Sequence, residues 1–179
     1  MSPSQRRHRQ PKTPDDDSPQ TEIPVWDPNR SGIDYLVEQN RLSRVPTNQE
    51  HAQRLLSQAE TNVLSARTIH GTGTNPAGAF TLCYDASRMA LTAVLAAQGL
   101  RPMEGRGSHL VIEDALRPQF PQNKQTINRF TWLRETRHTV EYPDFDSPSV
   151  TDDDVTLALE YTDEIISLAH RFLLQHTRS

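Results

Sequence analysis

The stretch TNPAGAFTLCYDASRMALTAVLAAQGLRP, residues 74–102, decides the fold. Asn75 is a favoured N-cap type, and Pro76 suits a first helical position, where its missing N–H costs nothing. From Pro76 to Gln98 the pattern is apolar nearly all round, and Gly99 can adopt the left-handed conformation that closes a helix. A helix apolar on every side is stable only when other elements cover every side. The stretch therefore predicts the central helix of an all-α bundle. Cys83, the single cysteine, falls inside it. One cysteine excludes an intramolecular disulfide and fits a reducing compartment. A thiol in such a run reads as a small buried apolar group, not as a nucleophile.

Other helical patterns lie on both sides. Upstream, Thr47 and Glu50 in TNQE form a capping-box pattern. Ala52, Leu55, Leu56, Ala59, Val63, Ala66 and Ile69 then recur at helical spacing. Downstream, after the loop RPMEGRGSH, Ser108 stands where it could cap a helix HLVIEDALRPQF. A further helix is predicted from about Asn123 to Glu141, ending before Pro143. Thr151 precedes Asp152, Asp153 and Asp154, the charge sign a helix N-terminus favours. Val155, Ala158, Leu159, Thr162, Ile165, Ile166, Ala169, Phe172 and Leu173 follow at intervals of three and four. No strands, internal repeats or heptad seam are expected. The sum is an up-and-down bundle of four to five helices, mostly antiparallel.

Composition bounds what surrounds the bundle. The chain has 179 residues, 34% apolar, and a mean hydropathy of -0.71, so part of it should stay outside the core. Residues 1–30 are rich in Pro, Ser and charge, with Arg6, Arg7, Arg9 and Lys12 ahead of Asp15, Asp16 and Asp17. They are expected to be a disordered tail that solubilises, although the basic block could touch RNA or DNA. Residues 31–46 are expected to hold a short docking helix, built on Ile33, Leu36 and Val37 with Ser31 as cap, and a linker. The bundle then occupies 47–175. The net charge of -4 announces no nucleic-acid binder. No apolar run reaches the ~18 residues a membrane span needs, and the N-terminus has no signal-peptide core. A cytoplasmic protein is expected.

The chemistry concentrates in RETRHTVEYP, residues 134–143. On a helical wheel Ile127, Phe130, Leu133 and Val140 define an apolar arc, with Arg137 near its middle and Arg134 inside its edge. A permanent charge on a core-facing arc needs a carboxylate, a subunit interface or an anionic ligand. Asp85, Glu113 and Glu141 are the candidate partners. A buried pair that sets helix register is one reading. The other is an arginine held for a phosphate, which its planar fork grips through two hydrogen bonds. Arg134 and His138 are four apart and share a face. Histidine is suited to general acid–base work near neutral pH, and a neighbouring arginine can steady the charge of a phosphodiester transition state.

In order, TNPAGAFTLCYDASRMALTAVLAAQGLRP, GSHLVIEDAL, LRETRHTVEYP and TDDDVTLALEYTDEIISLAHRFL resemble a bacterial HEPN domain over about residues 47–175. The resemblance implies a helical bundle, usually dimeric. In many members it is a metal-independent ribonuclease of toxin–antitoxin or phage-defence systems, and in some it is paired with a nucleotidyltransferase-type antitoxin. Active members carry arginine, a polar residue and histidine as R-x4-6-H, at a site where two copies meet. Here the histidine position counted from Arg137 is Tyr142, and Arg134 to His138 is one residue short. A tyrosine hydroxyl, with an ordinary pKa of about 10, is a poor base at neutral pH. His109 matches a histidine frequent at that point in the family.

The expected function is therefore RNA association through a degenerate or atypical ribonuclease site in a homodimer. Arg134, Arg137, His138 and Tyr142 carry the chemistry, and His109, Asp85 and Glu141 assist binding. The alternative is a non-catalytic dimeric interaction module. GTGTNPAG lacks the Lys-Ser/Thr of a phosphate loop and has no strand before it. The histidines show no zinc spacing with Cys83, and Asp144, Asp146 and Asp152–Asp154 read as solvated or dipole-complementing. No metal or cofactor is expected.

Overall fold

The computed structural model describes residues 32–105, 107–141 and 149–176. The expected tail, the Ser31 cap and Tyr142 lie outside these residues. The fold is an all-α bundle. In chain order the elements are α1 (Gly32–Glu38), β1 (Leu42–Arg44), α2 (Gln49–Thr72), α3 (Pro76–Ala97), β2 (Leu100–Pro102), α4 (Ser108–Leu116), α5 (Lys124–Glu141) and α6 (Asp152–His176). A 3-10 turn, Pro121–Asn123, leads into α5.

Helix α3 is central and packs against α2, α4, α5 and α6. Its small residues Ala79, Ala86, Ala90 and Ala93 are fully buried, so neighbouring backbones approach closely. Cys83 is buried among them, and desolvation pushes its thiol up to about 12, which leaves it inert. The Asn75 side chain accepts from the Gly78 N–H at 2.9 Å, as the cap reading predicts. One polar contact crosses the core: the hydroxyls of Ser87 and Thr162, both buried, lie 3.1 Å apart between α3 and α6. Each also reaches a helix carbonyl, so neither is left unsatisfied and the two helices are held in register.

Four expectations are corrected. Two short strands are present, β1 and β2, paired antiparallel with Ser43 opposite Arg101. Three-residue segments 58 positions apart carry no local strand signal, and the pairing exists only because the bundle brings their ends together. The cap of α2 is Asn48 instead of Thr47, and its side chain accepts from His51 N–H at 2.8 Å. The approach to α2 is pinned along the end of α3, with Asn48 N–H on the Ala96 carbonyl, which shifts the helix start by one residue. Ser108 is the first residue of α4, after Gly107 in a left-handed conformation, and no side chain caps the helix. Helix α4 also ends at Leu116, short of the expected Phe120: Arg117 keeps helical dihedrals, but Pro118 has no N–H to carry the hydrogen-bond ladder on. At α6 the Thr151 reading holds as a reciprocal box: Thr151 Oγ1 accepts from Asp154 N–H at 3.2 Å, and Asp154 accepts from Thr151 N–H at 2.9 Å.

Gly99 fastens the strap between β1 and α2 to the end of α3. Its φ is +71°, and its carbonyl accepts from Val45 N–H at 2.8 Å. A Cβ here would sit 2.6 Å from the Val45 carbonyl oxygen, so backbone would have to move. Gly99→Ala is expected to destabilise by about 2 kcal/mol. Thermal unfolding would show this as a midpoint several degrees lower, and an unchanged midpoint would mean the strap is not seated as described.

Candidate functional site

Residues of α3, α4 and α5 meet in one cleft of about 470 Å³. Helix α5 supplies Arg134, Arg137, His138 and Glu141, α3 supplies Tyr84, Asp85 and Arg88, and His109 and Leu110 stand at the start of α4. The structure thus brings together six of the residues singled out in the sequence, from three helices. Tyr142 lies outside the described residues.

Each arginine is held differently. Arg134 Nε donates to Glu113 Oε1 at 2.7 Å. Glu113 is only 4% exposed, and its other oxygen accepts from Thr131 Oγ1 at 2.8 Å and from Arg117 Nη2 at 3.3 Å. That carboxylate locks α4 to α5 and sets the direction of Arg134. Arg137 Nη1 lies 3.2 Å from Glu141 Oε2, one turn on, while its buried Nε has no hydrogen-bond partner among the described residues. A buried cationic donor without a partner is costly, which favours an anionic acceptor. Arg88 Nε is 4.0 Å from Asp85 Oδ1, too far for a hydrogen bond. Three arginines thus face two carboxylates in a chain whose overall charge is negative. The fold gathers positive charge here.

Behind the arginines lies an aromatic support. Phe130 is fully buried and stacks on Tyr84, with ring centroids 5.8 Å apart and planes within 9°. The Tyr84 hydroxyl shares a 2.7 Å hydrogen bond with His109 Nδ1. Burial pushes the Tyr84 phenol up to about 12, so it stays protonated near neutral pH. His109 is held below its usual range, first by desolvation and then by the charges of Arg88 and Arg134, with Asp85 and Glu141 opposing. His109 is therefore a neutral imidazole at neutral pH, oriented by a phenol and able to exchange a proton in the cleft.

Tyr84 and Arg88 were missed in the sequence. Arg88 and Asp85 are the only charged residues of α3, and an isolated charge pair in an otherwise uncharged buried helix was the available signal. Among the described residues, no group of three or more His, Cys, Asp or Glu side chains could hold a metal ion, and no helix is long and apolar enough to cross a membrane.

A family model described as HEPN domain matches residues 52–172. No curated protein and no solved structure matches the chain.

Proposed function

This chain belongs to the HEPN domain family, and from that premise we propose that its cleft binds the phosphodiester backbone of RNA. One observation carries the reading: Arg88, Arg134 and Arg137 converge from two helices on a cleft that also holds a neutral, oriented His109. Guanidinium groups grip phosphate oxygens and stabilise the extra charge of a phosphorane-like transition state. His109 and His138 are the proton-transfer groups within the cleft. In this reading His109 takes the part that the missing R-x4-6-H histidine would play. The setting is a cytoplasmic homodimer of toxin–antitoxin or defence type, with a nucleotidyltransferase-type antitoxin as the protein partner.

The test is binding of labelled single-stranded RNA, together with cleavage of end-labelled RNA in chelator. Arg137→Ala is expected to weaken binding by about 10–100-fold, the worth of one or two charge-assisted hydrogen bonds. Any cleavage should fall with it and with His109→Ala. A folded Arg137→Ala protein with unchanged RNA affinity would sink the reading.

A second reading has its own observation. Leu110 at the cleft and Met103 beside it are each 41% exposed, apolar surface of the kind a protein partner covers. If the cleft instead served only as a non-catalytic dimer interface, Arg137→Ala would shift the protein toward monomer and leave RNA untouched.

A further inference from the structure

A second depression of about 610 Å³ adjoins the cleft and shares two walls with it, Arg88 and His109. Its own lining adds Arg101 from β2, Thr92 from α3, and Ser108 at the first position of α4. We propose that this groove is a second phosphate subsite. The ligand is then a single nucleic-acid strand with at least two successive phosphodiesters, one at Arg134 and Arg137, the next between Arg88 and Arg101. The inference rests on the RNA reading of the first cleft and names the class of strand that it takes.

Four observations support it. Arg101 is exposed, and its guanidinium makes no ion pair or hydrogen bond among the described residues. Arg88 is only loosely engaged by Asp85, so it can turn to either side of the shared wall. The Ser108 hydroxyl makes no hydrogen bond among the described residues, and it sits where the α4 dipole adds positive potential. Met103, exposed in the groove, and Leu110, exposed in the cleft, give apolar surface for unstacked bases, which a duplex does not offer. Glu104, exposed on the groove lining, works against an anion and keeps this subsite weaker than the first.

The strand pairing explains how a residue of β2 reaches this place. Arg101 pairs with Ser43, and Ser43 Oγ donates to the Arg101 carbonyl, so the backbone is fixed and the side chain remains free to meet the ligand. Arg101→Ala therefore leaves the fold intact, which circular dichroism and thermal unfolding can verify.

The experiment is fluorescence anisotropy with 5′-labelled RNA of two, four and eight nucleotides, titrated across salt, for the wild type, Arg101→Ala and Arg137→Ala. For the eight-nucleotide strand, Arg101→Ala is expected to weaken binding about tenfold. It should also flatten the slope of log affinity against log salt by about 0.7, the value for one phosphate of a single strand. The loss should shrink toward none as the strand shortens to one phosphodiester. DNA of the same sequence is the further arm: equal behaviour means that only phosphates are read, and weaker binding means that the 2′-hydroxyl is read too. Arg101→Ala affinities equal to wild type at every length, with Arg137→Ala still defective, would overturn the second subsite and leave the first. No binding by the wild type, or none lost in Arg137→Ala, would overturn both.

Discussion

Replacing Glu113 with alanine is expected to destabilise the protein by about 3 kcal/mol, at the lower end for breaking a buried ion pair. Glu113 is 4% exposed and takes hydrogen bonds from Arg134, Thr131 and Arg117. Without it Arg117 loses its counter-charge and Arg134 keeps only Glu135, 3.4 Å from its Nη2, while Arg117 Nε is already buried with no hydrogen-bond partner among the described residues. The side chains of Arg134 and Arg117 are 23% and 42% exposed, so both recover some water, which keeps the loss from reaching the upper end. Urea unfolding measures the effect. Glu113→Gln, which keeps the shape and one acceptor oxygen but turns the other into an N–H2 donor, should lose less than Glu113→Ala. The same change frees Arg134 to swing, so RNA affinity should fall even in the fraction that remains folded. A Glu113→Ala protein within about 0.5 kcal/mol of wild type, the range of an ordinary surface substitution, would show that the carboxylate does not tie α4 to α5.

Phe130→Ala is expected to cost about 3–5 kcal/mol, as for other fully buried rings cut to a methyl group. The ring is fully buried beneath Tyr84, so its loss opens a cavity under the cleft as well as in the core. Phe130→Leu separates the two consequences. It refills most of the volume and should fold, but it removes the flat surface on which Tyr84 rests. Tyr84 then holds His109 less firmly, and water returns to the ring. Desolvation is the leading cause that lowers His109, so its relief should move the histidine up toward its ordinary pKa of about 6.5. Proton NMR titration of the imidazole in Phe130→Leu reads this directly. An unmoved titration would mean that Tyr84 is positioned without the ring below it.

These two residues show why some of the site was legible and some was not. The arginines stood out because their helical angle places them on the apolar arc of α5, and periodicity alone reveals a charge on the wrong face. Which carboxylate answers each charge did not follow. Asp85, Glu113 and Glu141 were all candidates, and the structure assigns Glu113 to Arg134, Glu141 to Arg137 and Asp85 to Arg88. Of these, Glu141 is local, one turn along the same helix. Glu113 stands 21 residues away, and only the rotation of α4 against α5 determines that it meets Arg134. Tyr84 was read simply as part of an apolar run, because nothing in that run tells which face of a wholly buried helix looks into a cleft.

The sequence by itself determined the helices, the central place of α3 and the apolar arc of α5. These follow from local propensity, caps at Asn75 and Thr151, and the 3.6-residue period, all written within a few turns of chain. Only the tertiary structure decided the β1–β2 pair, the Asn48 cap, the Glu113 lock and the meeting of Tyr84 with His109. Strand and side-chain pairs of this kind join residues tens of positions apart, and the Asn48 cap depends on where the end of α3 holds the chain. Long-range contacts depend on how helices rotate and stack against one another, and that geometry is a property of the whole packed core, not of any one segment.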